Sequence, residues 1–254
     1  MTQNIHPSAL IDASATIGEN VSIGAFTIIE AHTQIGDNCK IGSHSVIRPY
    51  TKMGAGNTVH AQVVLGDIPQ DTSFSEETVS YLEIGDNNTF REGFTAHRAS
   101  EGATTTIGSN CFFMNNSHVA HDCKIGNHTI FANNVAIGGF VSIGERVFLG
   151  GNVVVHQFCR IGSYVMARGT TAISKDVLPF TLIAGAVTKH YRLNTVGLRR
   201  AGVTGARYKV LSTAFRLLKS KESIEHLEET EEMIYLKQWL AAESKRGIHG
   251  FLVL

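Results

Sequence analysis

The chain has 254 residues, 43% of them apolar, which is enough to enclose a sizeable core. Its 22 Lys and Arg residues balance 22 Asp and Glu residues, so no overall charge marks it as a nucleic-acid binder. No apolar run reaches the length of a membrane span, and Met1-Thr2-Gln3-Asn4 lacks the charged and apolar regions of a leader, so a cytoplasmic protein without an integral membrane segment is expected.

From Ile5 an apolar residue recurs every six positions through Ile11, Ile17 and Ile23 as far as Leu65. The ladder pauses, resumes at Ile84, Phe90 and Ala96, pauses again, and runs from Ile107 to Ile173. Four residues past these positions sit small or β-branched residues such as Val21, Thr27, Ser117 and Val135. A period of six is neither helical nor the plain alternation of a strand. It fits a short strand followed by a turn that Gly or Asn permits. Three hexads close one coil of a triangular solenoid, and the twenty-six hexads make about nine coils. At the spacing of paired strands the prism is on the order of 40 Å long. The fold class expected is an all-β solenoid, a parallel β-helix. Cys39, Cys111, Cys123 and Cys159 all fall on the small inward position, so they read as core residues and not as disulfides or metal ligands.

The two pauses read as external loops near 67–83 and 98–106, where binding groups often sit on a rigid scaffold. After Ile173 the register decays, and Val177-Leu178-Pro179 breaks it. Helical spacing follows from Thr204 to Lys219, and again from Ser223, a plausible N-cap, through Ile224, Leu227, Met233, Leu236 and Leu240. The expected division is a β-helix over 1–190 and a small α-helical domain over 191–254 that caps the solenoid. Between Arg160 and Lys219 there are eleven basic residues against Asp176 alone, and a glutamate-rich run begins at Glu222. Such a segment suits a phosphate-bearing ligand or an acidic partner, or else the two helices pair their charges with each other.

The chemistry concentrates in Asn116-Ser117-His118-Val119-Ala120-His121-Asp122-Cys123. Residues eighteen apart stack, which puts His121 beneath Gly139, Asp122 beneath Phe140, and His156 above Gly138. Gly138-Gly139 and Gly150-Gly151 are expected to bring exposed backbone to the His121 level. A backbone N–H there suits a developing oxyanion, and a carboxylate beside the histidine can orient its ring. The pattern points to a general base acting on a hydroxyl. No Ser or Cys in this register is both outward and beside the base, so no protein nucleophile is expected. The other reading of His118, His121 and His156 is a zinc site of the kind found in gamma-class carbonic anhydrases. His32, His44 and His128 fall at turns and are given no role.

These residues resemble a family. Ile84-Gly85-Asp86-Asn87-Asn88 with Arg91-Glu92, Thr95-Ala96-His97-Arg98, the Asn116–Cys123 string, Ala132-Asn133-Asn134, Val155-His156-Gln157-Phe158-Cys159 and Gly197-Leu198-Arg199-Arg200 are similar to those of the bacterial UDP-N-acetylglucosamine O-acyltransferases that begin lipid A synthesis. The likeness covers nearly the whole chain. It implies a left-handed β-helix, a homotrimer with active sites between subunits, and no cofactor or metal. The implied reaction moves an (R)-3-hydroxyacyl chain from acyl carrier protein to the 3-OH of UDP-N-acetylglucosamine, without a covalent acyl-enzyme. In that reading His121 is the general base, Asp122 its partner and the Gly139 amide the oxyanion donor. Gln70, Asp71, His97, His118, His156, Gln157, Asn194 and Arg200 bind the UDP-sugar. Met166 and Gly169 set acyl length, with room left for a longer chain at Gly169. Arg160 and Arg168 dock the acidic carrier protein. Phe140, Val196 and Ser73 stand where the family usually has histidine, glutamate and lysine. They keep open a paralogue that acylates another UDP-sugar, such as a 3-amino analogue, beside the zinc-dependent hydrase.

Overall fold

The computed structural model describes residues 4–100, 102–185 and 187–252. Met1, Thr2 and Gln3, used above for the reading of the leader, lie outside the described residues, as do Glu101 of the second loop and Val253 and Leu254 of the C-terminal range. Twenty-six short strands run from Asn4–Ile5 to Ala172–Ile173, and each contains one member of the six-residue ladder. They stack in parallel with a register of one coil, as Ser22 on Asn4 and Ala136 on His118. Three faces result. The first begins at Asn4–Ile5, the second runs from Leu10–Ile11 to Ala172–Ile173, and the third from Thr16–Ile17 to Arg160–Ile161. The parallel β-helix expected from the period is the fold observed.

The ladder residues fill the prism as one continuous core, with Phe90, Phe94, Phe113 and Phe131 fully buried in it. Phe90 and Phe113 stack at 5.2 Å on successive coils. The four cysteines are free and buried in the same core. Cys39 and Cys123 each donate to a backbone carbonyl at 3.2 Å, and burial pushes the Cys123 thiol up to about 12. A thiol so held is no nucleophile at neutral pH. Most turns place a residue in the left-handed region, and about half of these residues are Asn, His or Asp, the types that tolerate it most readily.

Both external loops leave from one corner, where the chain passes from the second face to the third. One joins Val64–Asp67 to Tyr81–Ile84, and the other joins Thr95–His97 to Thr104–Ile107. His121 lies at this same corner two coils above the first loop. The loops break the sequence period without breaking the stack, because Val64 pairs with Thr95 and Thr95 with His118 as if the insertions were absent.

Above the ladder the first face gains two strands that the decayed period did not announce. Thr181–Ala184 pairs in parallel with Met166–Ala167, and Lys189–Leu193 returns antiparallel to it. Three helices follow: α1 (Thr195–Arg200), α2 (Gly205–Lys219) and α3 (Glu231–Ala241). Helix α2 matches the spacing read from the sequence. Helix α3 starts later than Ser223, because Thr230 is its cap and accepts the Met233 N–H at 3.3 Å. Ser223 instead holds a turn through the Glu225 N–H, and Ile224 is buried without being helical. The helices bury Leu198, Leu211, Ala214 and Met233 against Leu178, Phe180 and Leu193 in a second core. Arg207 of α2 pairs with Glu231 and Glu232 of α3, so here the helices do answer each other's charge.

Candidate active site

His121 follows the strand His118–Val119, and its Nδ1 lies 2.7 Å from Asp122 Oδ2. The two side chains are only 12% and 7% exposed. The turn puts Asp122 at φ 59°, a conformation that Asp tolerates, and so points its carboxylate back at the ring. The second loop then fixes it. The Ser100 N–H donates to Asp122 Oδ2 at 3.0 Å, and the Asp122 N–H donates to Thr105 Oγ1 at 2.8 Å. With Nδ1–H donating to the carboxylate, Nε2 keeps the lone pair that a base needs.

One coil up, Gly139 lies directly against the imidazole. A Cβ at Gly139 would meet Cε1 and Nε2 of His121 at 2.8 Å, so only glycine fits. The flanking amides are engaged, Gly138 N–H with the Val155 carbonyl at 2.9 Å and Phe140 N–H with the His121 carbonyl at 3.0 Å. Among the described residues the Gly139 N–H donates to no acceptor. An unengaged amide beside a base nitrogen is the arrangement that stabilises an oxyanion.

The imidazole opens into a cleft of about 450 Å³ lined by Gln70, His118, His121, Gly138, Gly139, His156 and Gln157. His118 faces out from the second face, with Nδ1 2.7 Å from Thr95 Oγ1 and its ring edge-on to His97 at 4.7 Å. Burial, reinforced by His97, pushes the His118 imidazole down to about 4, so it enters the site neutral. His97 is buried, its Nδ1 has no partner, and burial lowers its affinity for a proton against the pull of Asp67. His156 is exposed at the rim, its Nδ1 3.1 Å from the Gln157 carbonyl. Asp71 is held below the usual carboxylate range by the Ser73 N–H and hydroxyl at 2.9 and 2.7 Å, and further by His121. Ser73 therefore orients Asp71 here.

Several expected residues fall elsewhere. Gly150-Gly151 lie at the corner between the first and second faces, with Arg168 and Gly169 one coil above and Met166 on the adjoining first face, so they do not reach the His121 level of the same chain. A residue on the next strand of a coil is a full face away, so only residues whole coils apart share a corner. Phe140 meets the His121 ring edge-on at 5.3 Å, but it stacks on Phe158 and opens into a separate hollow with Asp122, Lys124 and Lys245. Asn194 caps α1: Oδ1 accepts the Gly197 N–H at 3.1 Å and Nδ2 donates to the Tyr164 carbonyl at 2.9 Å. Both ends of that amide are committed within the chain. Arg200, in the last turn of α1, is exposed. Arg160 is not a free surface cation. Its Nε pairs with the fully buried Asp176 at 2.7 Å, and its guanidinium lies over Trp239 at 4.4 Å. It holds α3 against the solenoid. Arg168 stays exposed. Sequence reasoning missed Thr95, Ser100 and Thr105, because the insertions between the strands hide which residues stack beneath His118 and Asp122.

The profile of the bacterial transferase hexapeptide family (six repeats) matches residues 14–49, 32–67 and 104–139, and that of UDP-N-acetylglucosamine O-acyltransferase domain 2 matches 176–249. An acyl-[acyl-carrier-protein]--UDP-N-acetylglucosamine O-acyltransferase of Sulfurihydrogenibium is 52% identical over 255 aligned positions, covering 96% of this chain and 93% of its own. One of Campylobacter jejuni is 46% identical, covering 97% and 96%. Among solved structures, LpxA from Acinetobacter baumannii superposes with a TM-score of 0.91 at 36% identity, covering 96% of this chain and 99% of its own. The UDP-N-acetylglucosamine acyltransferase from Campylobacter jejuni gives 0.87 at 33%, covering 98% and 100%.

Proposed function

The chain belongs to the acyl-[acyl-carrier-protein]--UDP-N-acetylglucosamine O-acyltransferase family, and from that premise we propose that it moves an (R)-3-hydroxyacyl chain from acyl carrier protein to the sugar 3-OH by general-base catalysis at His121. It is an acyltransferase, and the reaction is the first step of lipid A synthesis. The observation that carries the mechanism is the line Asp122–His121–Gly139. Nε2 takes the proton of the sugar hydroxyl as its oxygen attacks the thioester carbonyl. Negative charge collects on the carbonyl oxygen, where the Gly139 N–H can donate to it. Collapse expels the thiolate, which takes the proton back from the imidazolium. Asp122 keeps the tautomer and stabilises the cation. Neither a covalent acyl-enzyme nor a metal enters these steps.

Gln70, Asp71, His97, His118, His156 and Gln157 bind or frame the sugar around this cleft, with neutral His118 available as donor or acceptor. Arg200 meets nucleotide phosphate, and Arg168 meets the carrier. Met166, on the first face, and Gly169, at the corner that follows it, lie away from His121 in the same chain, so their role in acyl length requires a neighbouring copy. Support for such a trimer comes from the outward side chains. The upper first face presents Phe112, Ile130, Phe148 and Met166, and the second presents Leu10, Ile28 and Val154, of which Leu10 is 65% exposed. The third face presents Thr106, Lys124 and Ser142. The apolar upper part of the first face and the apolar ends of the second suit packing around an axis, with the polar third face toward water. No helix among the described residues is long and apolar enough to cross a membrane, in keeping with a cytoplasmic site of action.

The relatives' names do not favour the hydrase or the 3-amino acceptor. The test is purified protein with a panel of hydroxyacyl carrier proteins and UDP-sugars, the products identified by mass. An O-acylated UDP-N-acetylglucosamine is expected. Transfer only to a 3-amino sugar, or to no sugar, would refute the reading.

A further inference from the structure

The catalytic cleft does not end at His156. It shares Val154, Val155 and His156 with a second hollow of about 610 Å³, higher on the same corner. There the walls are apolar, with Ile173 and Val187 among them, and the rim carries Lys175 and Lys189. Lys175 stacks in the column His121, Gly139, Gln157, Lys175, three coils above the base. Three strand spacings are about 14 Å. Lys189 enters from the antiparallel strand, and His249 is fixed between them, its Nε2 accepting the Lys175 N–H at 3.2 Å. Neither ammonium meets a carboxylate among the described residues. Burial, helped by both lysines against the pull of Asp176, pushes the His249 imidazole down to about 4.

Resting on the acyl-transfer reading above, we propose that this hollow binds the phosphodiester of the carrier's pantetheine arm between Lys175 and Lys189, with the arm lying along Val154, Val155 and Ile173. Length selects the occupant. Fourteen bonds separate the thioester carbon from the pantetheine phosphorus, about 16 Å when extended, whereas seven bonds bring the sugar 3-oxygen only to the further diphosphate phosphorus, about 8 Å. The donor's phosphate reaches the backbone level of Lys175 with the thioester at His121; the nucleotide's phosphates stop below that level and would meet Lys175 only if its side chain turned down toward the base. An ammonium is a compact charge suited to a phosphate that is presented on a flexible arm.

The experiment compares two donors, (R)-3-hydroxyacyl-4′-phosphopantetheine and the same thioester of pantetheine without phosphate, each with UDP-N-acetylglucosamine. The full-length protein is used as parent, Lys175→Gln, Lys189→Gln and the double variant. The parent should prefer the phosphorylated donor, and each substitution should lower kcat/KM for that donor roughly tenfold. The unphosphorylated donor should be used equally by all four, and the KM for the UDP-sugar should not move. A preference that survives in both single variants overturns the proposal. So does a loss that appears in the UDP-sugar KM, which would assign the lysines to the nucleotide. A parent that transfers from hydroxyacyl carrier protein to no UDP-sugar overturns the acyl-transfer reading itself, and this proposal with it; a parent that uses the whole carrier protein but shows no preference between the two short donors overturns this proposal alone. The single variants stand as the test if the double variant fails to fold.

Discussion

Replacing Gly139 with alanine isolates the contact on which the base depends. The added methyl would lie 2.8 Å from Cε1 and Nε2 of His121 and 3.3 Å from Nδ1, where ordinary contact begins at 3.4 Å. The ring must therefore retreat by about 0.6 Å, while Asp122 holds Nδ1 at 2.7 Å from the other side. Backbone strain does not confuse the result, since Gly139 is not among the glycines with positive φ. A displacement approaching 1 Å of a reacting group costs about 10²-fold in rate. The amide donor is retained, so the loss should appear in kcat, with the KM for UDP-N-acetylglucosamine nearly unchanged and the thermal midpoint within a few degrees of the parent. Steady-state kinetics with a hydroxyacyl carrier protein reads this directly. A Gly139→Ala enzyme within threefold of parental kcat would show that the imidazole is not held where the chemistry needs it.

Asp122→Asn keeps the shape and tolerates the left-handed turn, but removes the charge that stabilises the imidazolium; turnover should fall about 10²-fold at constant thermal midpoint, and parental turnover would count against the pair. Arg160→Ala strands the buried Asp176 carboxylate, and denaturant titration should show a loss of about 3–5 kcal/mol; a loss below 1 kcal/mol would place the pair with ordinary surface ion pairs. Burial holds His118, His190 and His249 down at about 4 against 6.5 for a free imidazole. Below pH 6.5 the unfolded chain therefore takes up protons that the folded chain refuses. Their stabilisation is full above 6.5 and is lost as the pH falls through about 4, by about 1.4 kcal/mol per pH unit for each histidine. Urea midpoints at pH 7, 6 and 5 should fall in that order, and a flat series would contradict the assignment.

The solenoid was legible because one physical rule, an apolar side chain turned inward at each short strand, repeats without exception from Ile5 to Ile173. The stacking of His121 under Gly139 followed from the same rule, since no insertion lies between them. It failed where insertions intervene: Ser100 and Thr105 reach Asp122 across the second loop, and no count of eighteen finds them. It also failed where a count along the chain ignores which face a residue occupies, as with Gly150-Gly151. The basic segment left two readings open, an outward surface and charge pairing between the helices, because charge alone does not show direction. Arg160 turns inward to Asp176, Arg207 turns to α3, and Arg168 remains outside. The start of α3 was misplaced because Ile224 and Leu227 are spaced for a helix yet pack from a turn.

The measurement that bears most directly on the account is turnover of His121→Ala beside the parent, with (R)-3-hydroxyacyl carrier protein and UDP-N-acetylglucosamine, product quantified by mass and fold checked by circular dichroism. His121 as the general base requires a folded protein whose kcat has fallen by roughly 10²–10⁴, with UDP-sugar binding retained. A folded variant that turns over within a few-fold of the parent would contradict it, and would move the base to another group in the cleft.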